Sequence, residues 1–144
     1  MLFRRAGFGG SFNRSKVKVW LYLAAVKANG RQGATINQIH EDTGVPLLTL
    51  RRHMDKWWSW GRIHKRIFPK QLSDGCTCMY SIAPSGTEYI NRVVPDAFIE
   101  ECVSEIKAWQ DERRAMRELA EAEHRKRIEA LKARLREKYN AKGY

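Results

Sequence analysis

Apolar positions in the first two thirds of the chain recur at changing periods, and each change of period marks an element. Val17, Trp20, Leu21, Leu23, Ala24 and Ala28 fall at helical spacing, and Asn29-Gly30 supplies a stop, so a first helix is expected from Ser15. Thr35 is placed to cap a short second helix whose Ile36 and Ile39 face inward and which Thr43-Gly44 ends. Pro46 suits the first turn of a third helix, 46–60, where its missing N–H costs nothing; Leu47, Leu50, Met54 and Trp57 or Trp58 share its apolar face, and Gly61 closes it.

After Gly61 the period shortens. Arg62 to Phe68 mixes β-branched and long basic residues, Pro69 to Gly75 is turn-forming, and Thr77 to Ile82 reads as a returning strand, which together give a β-hairpin over 62–82. Pro84-Ser85-Gly86 then opens a short helix through Val93 or Val94, and Pro95 marks a boundary. From Asp96 to Tyr139 there is no Pro or Gly, and Ile99, Cys102, Ile106, Trp109, Met116 and Leu119 follow near-heptad spacing. The stripe lapses at 121–127 and resumes at Ile128, Leu131, Leu135 and Tyr139, which leaves one long helix or two meeting there. The expected architecture is mainly α with a small β-hairpin: an arm over 1–14, a domain over 15–95 and a helical region over 96–144.

Charge adds a direction to this outline. The 144-residue chain carries a formal +11, and the excess sits in front: residues 1–95 hold 15 Lys and Arg against five acidic residues, whereas residues 96–144 are nearly balanced. An unbalanced basic field steers toward polyanions, while a balanced, charge-dense tail supports a solvated helix. The arm carries Arg4, Arg5 and Arg14, suited to a minor groove or to RNA. In the third helix, Thr49, Arg52, His53 and Lys56 fall opposite the apolar face with Arg51 beside them, and long donors so presented reach base edges. Lys65, Arg66 and Lys70 place positive charge on the hairpin for the phosphate backbone.

The stretch TINQIHEDTGVPLLTLRRHMDKWWSWGRIHKRIF, followed by a turn and by YSIAPSGTEYI, resembles the winged helix-turn-helix domain of MarR-like and PadR-like transcriptional regulators. The resemblance covers residues 15–95 and implies that helix 46–60 lies in the major groove while the hairpin forms a wing against the backbone or a minor groove. The Trp57-Trp58-Ser59-Trp60 cluster departs from the aliphatic residues usual there. A double-stranded DNA partner follows, with RNA as an open alternative and a replication or partition protein on repeated DNA sites as another. A homodimer is expected through Ile99, Cys102, Ile106, Trp109, Met116 and Leu119, a stripe that a lone helix would expose.

Other chemistry finds little footing. No nucleophile elbow, phosphate loop, dinucleotide fingerprint or zinc-protease motif is present, so no enzyme and no cofactor are expected. Cys76-x-Cys78 with His64 on the facing strand is the one candidate metal set, and it is short of the four ligands of structural zinc, so no metal is assigned. Three cysteines fit a reducing compartment, and no apolar run is long enough for a leader or a span. A cytoplasmic, nucleoid-associated location without membrane contact is the expectation.

Overall fold

The computed structural model describes residues 13–83 and 94–141. They form α1 (Arg14–Ala28), α2 (Ile36–Thr43), α3 (Leu47–Ser59), β1 (Ile63–Ile67), β2 (Cys78–Ile82) and α4 (Asp96–Ala141). The short helix expected between Gly86 and Val94 falls almost wholly outside the described residues. The chain divides into two compact units, residues 1–109 and 110–144.

Local chemistry accounts for the helix limits in the first unit. Asn13 caps α1 by accepting the Lys16 N–H at 3.0 Å. The helix therefore starts one residue earlier than expected, at Arg14. Thr35 and Gln38 make a reciprocal capping box at α2: the Thr35 hydroxyl accepts the Gln38 N–H, and the Gln38 side chain accepts the Thr35 N–H. Gly44, at φ +78°, ends α2, and α3 begins three residues later.

α1 is buried along more of its circumference than its sequence pattern suggests, with Val17, Val19, Trp20, Leu23 and Val26 all in the core. α3 contributes Leu50, Met54 and Trp57, and the Trp20 and Trp57 rings meet edge to face at 5.0 Å. Of the three clustered tryptophans only Trp57 is interior; Trp58 and Trp60 are exposed. β1 and β2 pair antiparallel, with Ile63 opposite Ile82 and Ile67 opposite Cys78, and Ile63, Tyr80 and Ile82 close the core from the hairpin. The link between α1 and α2 joins the hairpin edge through two bonds, Ala34 N–H to Tyr80 O at 2.9 Å and Tyr80 N–H to Ala34 O at 2.8 Å. Gly33 permits this approach, since a Cβ there would stand 2.8 Å from the Tyr80 carbonyl oxygen.

The opening turns of α4 complete the same core. Cys102 is fully buried, and Phe98 and Ile99 pack against it from partly buried positions. Arg14 reaches Glu101 and Glu105, each at 2.9 Å, and Lys18 reaches Glu105 at 2.7 Å, fixing α4 along α1. Trp109 lies over the α2–α3 turn and donates its indole N–H to the Glu41 carbonyl at 2.8 Å. The expectation that Ile99, Cys102 and Trp109 pair with a second copy is therefore corrected: the chain's own first unit covers them. Ile106 is partly buried.

The second unit is helix through to Ala141, which settles the choice between one helix and two in favour of one. Met116 and Leu119 are exposed, as are Ile128, Leu131, Leu135 and Tyr139. Charge pairs of i,i+3 spacing, Asp111 with Arg114 and Glu129 with Lys132, decorate its surface. No helix among the described residues is long and apolar enough to cross a membrane.

Candidate nucleic-acid interface

The tight α2–Gly44–α3 connection sets how α3 is presented, and burying Leu50, His53, Met54 and Trp57 turns the opposite side of the helix outward. Arg52 and Lys56 stand on that outer side and Thr49 is half-buried at its margin. Neither the Arg52 guanidinium nor the Lys56 ammonium forms a hydrogen bond or ion pair among the described residues. Arg51 is also exposed, but it points round the helix toward the hairpin tip, where it lines a cavity with Asp74 and Cys78.

His53 corrects the sequence expectation. It is 8% exposed, stacks on Trp57 at 5.4 Å and lies 3.1 Å from the Ser15 hydroxyl through Nε2. The Ser15 hydroxyl gives its proton to Asn13 Oδ1 at 2.7 Å, so a neutral imidazole protonated on Nε2 donates to the Ser15 oxygen. Burial, reinforced by Lys16 and Lys56, pushes the imidazole down to about 4, so His53 is neutral at pH 7. At i+3 from Leu50 it falls on the buried face; pattern reading grouped it with Arg52 because histidine is polar.

Lys16 is the residue that sequence reasoning missed. Burial first and Lys56 second lower its pKa, so the two ammonium groups act on one another across α1 and α3. Two cations held within electrostatic reach favour an anion between them. The only signal in the sequence was one more lysine on the first helix, forty residues from its neighbour in space.

On the hairpin, Lys65 lies over the exposed Trp58 ring at 5.2 Å, and Arg66 lies over Phe68 at 4.9 Å while donating to Gln32 at 2.6 Å. Lys70 is exposed in the turn. The tip is tied down by Asp74, whose carboxylate accepts from the Thr35 hydroxyl and from the Cys76 N–H; these bonds hold its pKa below the usual carboxylate value. Asn37 adds a bond to the Asp74 carbonyl at 3.0 Å. The hairpin is thereby fixed to the start of α2, with its basic residues on a braced support.

Arg14 was expected to belong to the arm, and this too is corrected. It is the first residue of α1, paired to Glu101 and Glu105, which raise its pKa, and lying over the Phe98 ring at 5.4 Å. Its charge is already met inside the chain. Arg14→Ala is accordingly expected to leave the salt dependence of duplex binding unchanged, as measured by the slope of log affinity against log salt. Arg4 and Arg5 lie outside the described residues. His64 is removed from the metal set, because it pairs with Ser81 and lies on the opposite strand face from the residues that flank Cys78 across the ladder. Comparison with protein-family models, with curated proteins and with solved structures finds no match to this chain.

Proposed function

We propose that this chain binds double-stranded DNA through a winged helix-turn-helix, reading the major groove with the outer side of α3 and gripping the backbone with the hairpin, and that it acts as a transcriptional regulator. The observation that carries the reading is the pair of exposed donors, Arg52 and Lys56, unpaired among the described residues, on a helix presented by a braced tight turn, with Lys16 alongside. The antiparallel hairpin directly after α3, joined at its edge by the Ala34 bridge, is the arrangement that a wing requires. The net positive field of the first 95 residues supplies the long-range attraction. Where two copies share a site, they meet through residues beyond Trp109.

Division of labour follows from where the charges stand. Arg52→Ala is expected to cost about 1–3 kcal/mol at the preferred sequence and less elsewhere, flattening sequence preference, because a lost base contact is a lost discrimination. Lys70→Ala is expected to weaken all duplexes alike and to reduce the log–log salt slope by about one. Site selection from random duplexes, followed by titration of both variants across a salt series, reads the two effects separately. Equal losses on every sequence for both variants, or tighter binding to single-stranded RNA than to duplex, would overturn the proposal.

A further inference from the structure

The cavity between the start of α2, the flank of α3 and the hairpin tip has a volume of about 330 Å³ and is bordered by Asn37, Arg51, Cys76, Thr77, Cys78 and Tyr80. Duplex reading makes no use of it. Cys76 lies in the turn just before β2 and Cys78 is the first residue of the strand, and both border this cavity. Both are free thiols and both are partly exposed.

Their backbone is held from two directions. The Cys76 N–H donates to Asp74 Oδ1 at 2.9 Å, and the Cys76 carbonyl accepts from Leu72 N–H at 2.8 Å. Arg51 on α3 borders the same cavity as the two cysteines, which places a guanidinium on the wall facing them. The Arg51 side chain has no hydrogen bond or ion pair among the described residues.

The number of ligands decides what such a pair can hold. No group of three or more His, Cys, Asp or Glu gathers for an ion among the described residues, so a four-coordinate zinc site has no ligand set. Two thiolates suffice for a soft d¹⁰ monovalent ion, which accepts linear coordination and prefers sulfur to nitrogen or oxygen. Two metal–sulfur bonds in line span about 4.5 Å, from a bond length of about 2.3 Å, and two thiols bordering one cavity can be brought to that separation by χ1 rotation. A bis-thiolate complex of a monovalent ion carries one net negative charge, and the exposed Arg51 guanidinium on the same cavity complements it.

We propose that Cys76 and Cys78 form a two-coordinate site for a soft monovalent metal ion of the copper(I) type, with Arg51 as its counter-charge. Binding replaces two S–H bonds by two sulfur–metal bonds and releases two protons to solvent; no electron is transferred. The site stands independently of DNA binding, and its test involves no nucleic acid.

The full chain is titrated with silver(I), a redox-inert probe, and with copper(I) under anaerobic conditions against a chelator of known affinity. One equivalent is expected to bind with a near-ultraviolet sulfur-to-metal charge-transfer band and to protect Cys76 and Cys78 together from alkylation. Cys76→Ser and Cys78→Ser are each expected to lose at least about 100-fold in affinity, and Arg51→Ala about 10-fold, the lower end of what outer partners of metal ligands contribute. Arg51 is exposed and Cys76 is partly buried, while Cys78 packs against the core from a partly buried position, so each variant is first shown to keep the wild-type melting temperature. Unchanged affinity in either serine variant or in Arg51→Ala, two independent equivalents, or displacement of silver by equimolar zinc would overturn the site.

Discussion

Gly44→Ala is expected to destabilise the first unit by about 3 kcal/mol and to lower its melting temperature by at least about 10 °C. Two costs combine. At φ +78° an L-residue suffers a steric penalty of about 1–2 kcal/mol that glycine avoids. An added Cβ would also stand 2.8 Å from Trp109 Cδ2 and 3.1 Å from Cε2 and Cε3, so the indole must leave its seat or the turn must open, an overpacking cost of about 1–3 kcal/mol. The indole cannot simply tilt away, because its N–H is bonded to the Glu41 carbonyl in the last turns of α2.

A double-mutant cycle separates the two costs. In a Trp109→Ala background the ring is gone, and Gly44→Ala should cost only the backbone penalty, leaving a coupling of about 1–2 kcal/mol by denaturant titration. Equal costs in both backgrounds would mean that Trp109 does not seat on this turn. On the proposed reading the same contact bears on binding, since the turn sets the angle at which α3 presents Arg52 and Lys56. Trp109→Ala should therefore weaken duplex binding even though the residue lies on α4, far along the chain from α3.

The helices were legible because each carries its own local signal. Asn29-Gly30, Thr35, Gly44 and Gly61 sit where stops and caps are needed, and the observed limits of α2 and α3 lie within a residue of those expected. The hairpin was legible for the same reason, with Asp74-Gly75 at its turn. What could not be read is whatever depends on which surfaces meet. The near-heptad stripe of α4 looked like a seam for a second copy because periodicity records that a face is apolar, without recording what covers it. Ile99, Cys102 and Trp109 cover the chain's own core and turn instead. Arg14 and Lys18 counted as free positive charge until Glu101 and Glu105 were placed beside them. The tie from Asp74 to Thr35 spans 39 residues and has no sequence signature at all.

His53 makes stability pH-dependent, and the sign follows from its direction of shift. Its folded pKa is depressed to about 4 from 6.5, so the neutral form is the one the fold accepts. The stability this contributes is complete above the unfolded value and is lost as pH falls from about 6.5 toward 4, because the unfolded chain takes up the proton first. Between pH 7 and 4.5 the loss is on the order of 2–3 kcal/mol. Asp74 and Glu105, whose pKa values are lowered by their partners, contribute their losses at more acid pH, so the window from 6.5 to 4.5 isolates the imidazole. His53→Phe keeps an aromatic ring to stack on Trp57 and cannot titrate; its stability should stay flat across that window where the wild type falls. Parallel slopes would mean that His53 is not buried neutral. The same group reports on ligand binding. A phosphate held by Lys16 and Lys56 would offset the two cations that disfavour the imidazolium, so duplex DNA should raise the His53 pKa from about 4, as followed by NMR titration of the ring protons. A pKa unmoved by saturating duplex would place the phosphate path away from Lys16 and Lys56 and leave Arg52 and the hairpin as the contacts.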